Sequence, residues 1–266
     1  MTNLRTLLNL DGRRAVITGG AGHLGRTMAD SLAELGADIV LVDLAKAPML
    51  EAADDIGRRW GVAVRALACD LEDAQARETL ASKVGASGGL DILVNNAAFV
   101  GTSGLSGWAE PFERQSVETW RRALEVNLTA SFQLCQLFTP ALKTSAGGSI
   151  INIASIYGQW GPDYSLYEGT EMASPAAYGA SKGGLIQFTR WLATTLAPEV
   201  RVNAISPGGV ARGQPDSFVS RYEARTPLRR MATEDDFRGA VAYLATDMSA
   251  FVTGQVLAVD GGWGVW

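Results

Sequence analysis

Tyr178 and Lys182 stand four positions apart in the segment YGASK and form the pairing in this sequence best suited to proton transfer. Residues at this spacing share one face of a helix, so the lysine ammonium can lie near the phenol oxygen. A free tyrosine has a pKa of about 10, and a nearby positive charge stabilises the phenolate and lowers that pKa. The pair therefore predicts a tyrosine that acts as an acid or a base. The alternative is a packed ring beside a solvated lysine.

The segment SIINIAS, Ser149–Ser155, precedes this pair and is typical of a buried strand that ends in a hydroxyl. Ligands bind at the carboxyl ends of the strands in open α/β sheets, so Ser155 is predicted to face the same site. The only histidine is His23, which argues against Ser-His-Asp hydrolysis and against a histidine-rich metal site. No metal site is predicted.

The glycine cluster TGGAGHLG, from Thr18 to Gly25, lies between a predicted strand and a predicted helix. Glycines there permit a tight turn and let backbone N–H groups approach a pyrophosphate at the positive end of the helix. Asp43 ends the second apolar run, close to the spacing expected for a carboxylate that binds an adenosine ribose. Together these features favour dinucleotide binding over a plain strand-to-helix turn followed by a solvated aspartate.

Short apolar or β-branched runs alternate with longer amphipathic segments, as in a series of βαβ units. The predicted strands are Ala15–Thr18, Asp38–Val42, Ala63–Ala68, Asp91–Val94, Ser149–Ala154, Arg201–Ile205 and Gln255–Val259. The predicted helices include Leu24–Leu35, Asp73–Lys83, Val117–Leu142, Tyr178–Leu196 and Thr233–Ala245. Several strands are apolar throughout, which suits a parallel sheet covered on both faces. The sequence therefore predicts one doubly wound, Rossmann-like α/β domain over residues 1–266.

The composition excludes several classes of function. The formal net charge of −5 and the lack of a long basic run argue against a nucleic-acid partner. No apolar stretch is long enough to span a bilayer and the N-terminal residues lack a signal-peptide pattern, so a cytoplasmic protein without a membrane partner is expected. Cys69 and Cys135 are 66 positions apart beside apolar residues and are expected to be buried, reduced thiols.

The sequence resembles the short-chain dehydrogenases/reductases over essentially its whole length. The motifs that carry the resemblance occur in order: TGGAGHLG, Asp70, NNAA at Asn95–Ala98, Asn127 in EVNLTASF, Ser155, YGASK, SPGG at Ser206–Gly209, and VDGGW. The resemblance implies an oxidoreductase that moves a hydride between a nicotinamide cofactor and a carbonyl or secondary alcohol.

The resemblance also implies roles for four catalytic residues. Tyr178 would be the acid/base, and Ser155 would hydrogen-bond the reacting oxygen. Lys182 would bind the nicotinamide ribose and lower the tyrosine pKa. Asn127 would hold a water that links Lys182 to solvent.

Further residues would bind the cofactor. Asp70 and Leu71 would contact adenine, Asn96 and Ala97 would line the groove, and Val210 would meet the carboxamide. The implied cofactor set is Thr18, Gly19, Gly22, His23, Leu24, Gly25, Asp43, Asp70, Leu71, Asn96, Ala97, Tyr178, Lys182, Pro207, Gly208 and Val210. NAD(H) is preferred to NADP(H), because the Asp43 carboxylate repels a 2′-phosphate and no arginine directly follows it.

The sequence departs from the family pattern at two places. His23 stands where the family usually has glycine, and its ring is expected either over the cofactor phosphates or pointing outward. The spacing from Ser155 to Tyr178 is about twice the usual one, so Ile156–Ala177 is an insertion that leaves and re-enters beside the site. Its aromatic, acidic and hydroxyl side chains favour a sugar-like substrate. The alternative is a loop that packs on a neighbouring subunit.

Tyr157, Tyr164 and Glu168 are the predicted substrate contacts, and residues 208–228, starting with Gly208–Phe218, are a predicted mobile substrate lid. The sequence also resembles a subgroup associated with bacterial surface-sugar and flagellin-glycan pathways. A reductase of 3-oxoacyl thioesters and a non-catalytic nucleotide-sensing module are the alternative functions. A homotetramer, or a homodimer, is expected from the family and from apolar surface on the helices over Val117–Leu142 and Tyr178–Leu196.

Overall fold

A sheet of seven parallel strands forms the centre of the computed structural model, which describes residues 3–86, 88–100 and 103–266. The strands are β1 (Arg14–Thr18), β2 (Asp38–Asp43), β3 (Val64–Ala68), β4 (Ile92–Asn95), β5 (Gly148–Ile153), β6 (Val200–Pro207) and β7 (Val256–Val259). Their order across the sheet is β3-β2-β1-β4-β5-β6-β7. The order reverses direction between β1 and β4, which is where ligands bind in open α/β sheets.

Helices connect the strands. They are α1 (Leu4–Leu8), α2 (His23–Glu34), α3 (Met49–Trp60), α4 (Ala74–Gly85), α5 (Val117–Leu124), α6 (Ala130–Thr144), α7 (Ala176–Leu196), α8 (Asp216–Arg225) and α9 (Arg238–Ala245). Within the described ranges, no helix combines the length and apolar character needed to cross a membrane.

The helices cover both faces of the sheet and bury two apolar cores. On one face, α2, α3 and α9 pack on strand residues that include Ile17 and Leu41. On the other, α4, α6 and α7 pack on the intervening residues, such as Val16 and Val40. Successive strand residues point to opposite faces, so a strand buried on both sides must be apolar at every position.

The predicted fold class is confirmed, and the seven predicted strands lie within two residues of the observed ones. The predicted helix over Val117–Leu142 is instead α5 and α6, joined by a π-helical turn at Glu125–Thr129. Helices α3 and α8 were not among the predicted elements. Each follows a proline N-cap without a side-chain capping bond, so the usual sequence signature of a helix start is missing.

The two cysteines are buried and unpaired, as expected. Burial in apolar surroundings raises the pKa of Cys69 to about 11 and that of Cys135 to about 12. Neither thiol is therefore a nucleophile at neutral pH.

Phe237 tests the core on the α2 and α9 face, because its side chain is fully buried there. Phe237→Ala should lower the free energy of unfolding by about 3–5 kcal/mol, since it removes buried surface and leaves a cavity. Phe251 is fully exposed, so Phe251→Ala is the matched control and should change stability by less than about 0.5 kcal/mol. Urea unfolding at one protein concentration measures both, and equal losses in the two variants would contradict the assigned core.

Candidate active site

The predicted site residues converge at the carboxyl edge of the sheet. Five of them lie at or just beyond the ends of β1, β2, β4, β5 and β6, namely Thr18, Asp43, Asn96, Ser155 and Pro207. Asp70 and Leu71 follow β3, and α7 carries Tyr178 and Lys182. The sheet therefore brings together groups that are far apart in the chain.

The glycine cluster forms a tight turn between β1 and α2. Gly19 has a left-handed backbone with φ of +63°. A Cβ on Gly25 would overlap the Gly19 carbonyl oxygen, so only glycine allows the helix to begin this close to the turn. Gly22, the N-cap of α2, has no side chain to bond the free N–H groups of the first turn. Those groups suit a phosphate ligand.

The loop after β4 is hydrogen-bonded to this turn. The Thr18 hydroxyl oxygen accepts from the N–H groups of Asn96 (3.0 Å) and Ala97 (3.1 Å). The Asn96 amide donates to the carbonyls of Thr18 (2.9 Å) and Gly19 (3.2 Å). Neighbouring strand ends are thus held as one groove wall.

Asp43 closes the other side of the groove. Its Oδ2 accepts from the Ala21 N–H at 3.1 Å, and its Oδ1 accepts from the Leu44 N–H at 2.8 Å. Each carboxylate oxygen keeps a lone pair for a further donor, such as a ribose hydroxyl. Asp70 lies on the adjacent strand end, where its Oδ1 accepts from the Glu72 N–H at 3.0 Å.

His23 begins α2, and its ring points outward. The side chain is 70% exposed, and its Nδ1 is 3.9 Å from Glu234 Oε1. The same carboxylate oxygen pairs with Arg212 at 2.9 Å. Of the two placements considered for His23, this is the outward one.

Lys182 is 2% exposed, and its Nζ donates to the Ile153 carbonyl oxygen at 2.6 Å. Its Nζ is 5.8 Å from the centre of the Tyr178 ring. Burial lowers the pKa of Lys182 to about 8. The ammonium is therefore charged at neutral pH, next to the last residue of β5.

Tyr178 and Ser155 share a hydrogen bond, but the pKa of Tyr178 is not lowered overall. Burial raises it above the ordinary value of 10, while the bond with Ser155 acts in the opposite direction to a smaller extent. The sequence-based expectation of a pKa lowered by Lys182 is not met in this arrangement, because desolvation of the phenolate dominates.

Asn127 lies in the π-helical turn between α5 and α6 and is buried. Its Oδ1 accepts from the Phe99 N–H at 2.7 Å, and its Nδ2 donates to the Phe99 carbonyl (3.1 Å) and to Ser181 Oγ (3.1 Å). The side-chain amide thus connects the loop after β4 to α7.

The insertion begins with a 3-10 turn at Ile156–Gly158 that packs directly on α7. A Cβ on Gly158 would come within 2.7 Å of the Lys182 backbone. The Tyr157 N–H donates to Ser155 Oγ at 3.2 Å, so Tyr157 contacts the Ser155 side chain as well as following it in sequence.

Two predicted substrate contacts, Tyr164 and Glu168, lie on the outer side of the insertion. Tyr164 is 63% exposed, and the Glu168 side chain is also exposed. Tyr167 is the residue turned inward, and its hydroxyl is 2.6 Å from that of Tyr157. The sequence offered no signal to separate Tyr164 from Tyr167, because the choice depends on the 3-10 turn at Tyr164–Tyr167.

Five aromatic side chains from the insertion, α8 and the segment after β7 contact one another in a closed circuit, which we call the aromatic cluster. It runs through Tyr157, Trp263, Tyr222, Phe218 and Tyr167. Consecutive ring centres are 5.3–6.3 Å apart, and the hydroxyl contact between the first and last members closes the circuit. Such aromatic contacts add to the stabilisation from burial.

The aromatic cluster includes two residues of the region predicted as a lid. Phe218 and Tyr222 are both buried, and the Gly209 N–H donates to the Tyr222 hydroxyl oxygen at 2.5 Å. The Gly208 N–H donates to the Val259 carbonyl at 3.0 Å, and Val210 forms a bridge with Ala232. The structure thus shows the segment 208–228 anchored at Gly208, Gly209, Phe218 and Tyr222, and its mobility stays a prediction.

The chain is similar to known proteins in sequence and in structure. The family model described as enoyl-(acyl carrier protein) reductase matches residues 19–264. A galactitol 2-dehydrogenase (L-tagatose-forming) from Cereibacter sphaeroides is 33% identical, over 98% of this chain and 99% of that protein.

Solved structures are similar over nearly the whole chain. The structure of an NAD+-bound xylitol dehydrogenase has a TM-score of 0.83 at 31% identity and covers 95% of this chain and 99% of that one. An NADPH-dependent 3-quinuclidinone reductase from Rhodotorula rubra has a TM-score of 0.88 at 25% identity, over 100% of this chain and 96% of that one.

The buried ammonium of Lys182 predicts a pH-dependent stability. Lys182 titrates at about 8 in the folded state and near its ordinary value of 10.5 in the unfolded chain. Between these values the unfolded state binds more protons, so the free energy of unfolding should rise with pH. Urea unfolding of wild type should show this rise relative to Lys182→Met. Lys143→Met, at an exposed lysine of α6, should keep the wild-type slope. Parallel curves for wild type and Lys182→Met would contradict the assignment.

Proposed function

This chain belongs to the short-chain dehydrogenase/reductase family, and we propose that it transfers a hydride between NAD(H) and a secondary alcohol or carbonyl of a sugar or sugar derivative. The observation that carries the proposal is the meeting of Ser155, Tyr178 and Lys182 at the sheet edge that also carries the glycine turn. The likeness to galactitol and xylitol dehydrogenases supports the substrate class.

The chemistry divides between the cofactor and the protein. When bound, the nicotinamide supplies the hydride acceptor or donor. Tyr178 takes the proton from the substrate hydroxyl, or returns it, as hydride leaves or arrives at the same carbon. Ser155 hydrogen-bonds the substrate oxygen and orients it toward the phenol. Lys182, charged below about pH 8, stabilises the phenolate when a ligand covers the pocket.

The residues of the groove fit a dinucleotide. The glycine turn and the uncapped start of α2 accommodate a pyrophosphate, and Asp43 lies where a ribose can bind its carboxylate. Lys182 would hold the nicotinamide ribose, and Val210 the carboxamide. We infer a preference for NAD(H), because Asp43 repels the additional phosphate of NADP(H).

The inserted segment favours a polar substrate. It places Tyr157 beside Ser155 and brings the Tyr157 and Tyr167 hydroxyls within 2.6 Å of each other, and such polar groups suit a hydroxylated substrate better than an acyl chain. A reductase of 3-oxoacyl thioesters is the second candidate, because the matching family model is described by an acyl-carrier-protein substrate.

We also infer a homo-oligomer, a tetramer or a dimer, in the cytoplasm. Phe132 and Trp191 expose large apolar area on α6 and α7, which supports a subunit contact there. Leu134 and Phe138, on the same helix as Phe132, belong to the core instead.

Tyr178→Phe tests the catalytic assignment, because it keeps the ring and removes the transferable proton. Turnover should fall by about 10²–10⁴-fold while NADH binding changes little. Absorbance of reduced nicotinamide follows turnover of galactitol, xylitol and a 3-oxoacyl thioester, and NADH fluorescence follows binding. Tyr243→Phe on α9, distant from the groove, is the control and should behave like wild type. Wild-type turnover in Tyr178→Phe would refute the proposal.

Asp43→Asn tests the cofactor assignment. The amide oxygen can still accept from the Ala21 N–H, which keeps the bond to the glycine turn, whereas the charge and the bond from the Leu44 N–H are lost. Wild type should use NADH with a higher kcat/KM than NADPH, and the variant should shift that ratio toward NADPH by at least about tenfold. Asp54→Asn, at an exposed residue of α3, should leave the ratio unchanged. A wild-type preference for NADPH would contradict the role of Asp43.

A further inference from the structure

The Tyr157 and Tyr167 hydroxyls lie 2.6 Å apart inside an apolar cluster that contains Ile156, Leu166 and Phe218. Two phenols bring two O–H donors to this contact, and one hydrogen bond between them uses only one. Ser174 is a further hydrogen-bond partner of Tyr167, and lone pairs of the two phenol oxygens remain for another donor. A polar pair at such a position is unfavourable unless it has hydrogen-bond partners.

Both rings are fixed by their neighbours. Tyr157 packs its ring against Trp263 at 87° with the centres 6.3 Å apart, and Tyr167 packs against Phe218 at 64° and 5.3 Å. Neither phenol can turn away without breaking these contacts within the aromatic cluster. The two hydroxyls are therefore held at one place before any substrate arrives, which reduces the entropic cost of binding.

The backbone of Tyr157, which carries one hydroxyl of the pair, lies next to the reacting groups. The Tyr157 N–H bonds Ser155 Oγ at 3.2 Å, and the Tyr157 carbonyl oxygen would be 3.2 Å from a Cβ on Gly179, the residue after Tyr178. Burial raises the pKa of Tyr178, and the nearby Tyr167 contributes in the same direction. The pair thus belongs to the segment that directly follows Ser155, and Tyr167 is close enough to Tyr178 to influence its charge.

From this arrangement we propose that the Tyr157–Tyr167 hydroxyl pair is a subsite for a second substrate hydroxyl, so that the enzyme selects diols and polyols over isolated secondary alcohols. The inference rests on the proposed function and names the substrate feature that this pocket recognises. A site built to hydrogen-bond a hydroxyl discriminates strongly against an analogue that lacks it, because its own polar groups are then left without partners.

The test compares cyclohexanol with the 1,2-, 1,3- and 1,4-cyclohexanediols as probes, using purified enzyme and NAD+. In wild type, at least one diol should exceed cyclohexanol in kcat/KM by about tenfold or more. Tyr167→Phe should lower that ratio by about tenfold, mainly through KM, because the reacting groups are untouched. Tyr157→Phe should lower it similarly, since it removes the partner that fixes Tyr167. Tyr243→Phe is the matched control, and thermal unfolding verifies that each variant is folded.

The outcomes separate the two proposals. An equal kcat/KM for cyclohexanol and every diol in wild type would overturn the subsite but leave the oxidoreductase assignment intact. A loss in Tyr167→Phe that is the same for diol and cyclohexanol would also overturn it, because a structural role affects both substrates alike. If the enzyme turned over none of the probes and neither galactitol nor xylitol, with either NAD+ or NADP+, the proposed function and the subsite would both be overturned.

Discussion

The hydrogen bond from the Lys182 ammonium to the Ile153 carbonyl, 2.6 Å long, fixes α7 against the end of β5, and the geometry of the site depends on it. A buried ammonium is strongly unfavourable without a hydrogen-bond partner, so the lysine cannot leave this carbonyl at little cost. Tyr178 stands one helical turn before Lys182, and Ser155 stands two residues after Ile153. One contact therefore sets the position of the Tyr178 phenol relative to the Ser155 hydroxyl, with which it forms a hydrogen bond.

Polar side chains buried beneath the site support this contact. The Asn95 amide donates to Asn152 Oδ1 at 2.9 Å across the paired ends of β4 and β5, and the Asn152 amide donates to Thr189 on α7 at 2.8 Å. Asn127 makes a second connection from the loop after β4 to the same helix. Buried networks of this kind specify one arrangement of the elements, because shifting any member leaves a donor or acceptor unpaired. Rigid placement of a few groups is what proton transfer in an active site requires.

The sequence was sufficient for the fold class and for the residues that touch the strand ends, because those features follow from local pattern. The alternation of short apolar runs with amphipathic segments predicts the strands. The glycine turn predicts a phosphate-binding site at the end of one strand, and the spacing of Tyr178 and Lys182 predicts an acid/base pair on one helix face. The inward placement of Tyr167 and the outward placement of Tyr164 could not be predicted, because they depend on packing with Phe218 on α8. The direction of the Tyr178 pKa was also beyond the sequence, because it depends on how much water burial removes.

The aromatic cluster joins residues that are widely separated along the chain, from Tyr157 to Trp263. Its members follow β5, β6 and β7 in the chain, so its geometry depends on the pairing of these three strands. The glycine turn, in contrast, is made within one strand–helix connection. The aromatic cluster and the glycine turn thus differ in how far along the chain their contacts reach. Substitutions among the aromatic members would alter the packing around the insertion and leave the local contacts of the glycine turn unchanged, so the two regions can vary independently.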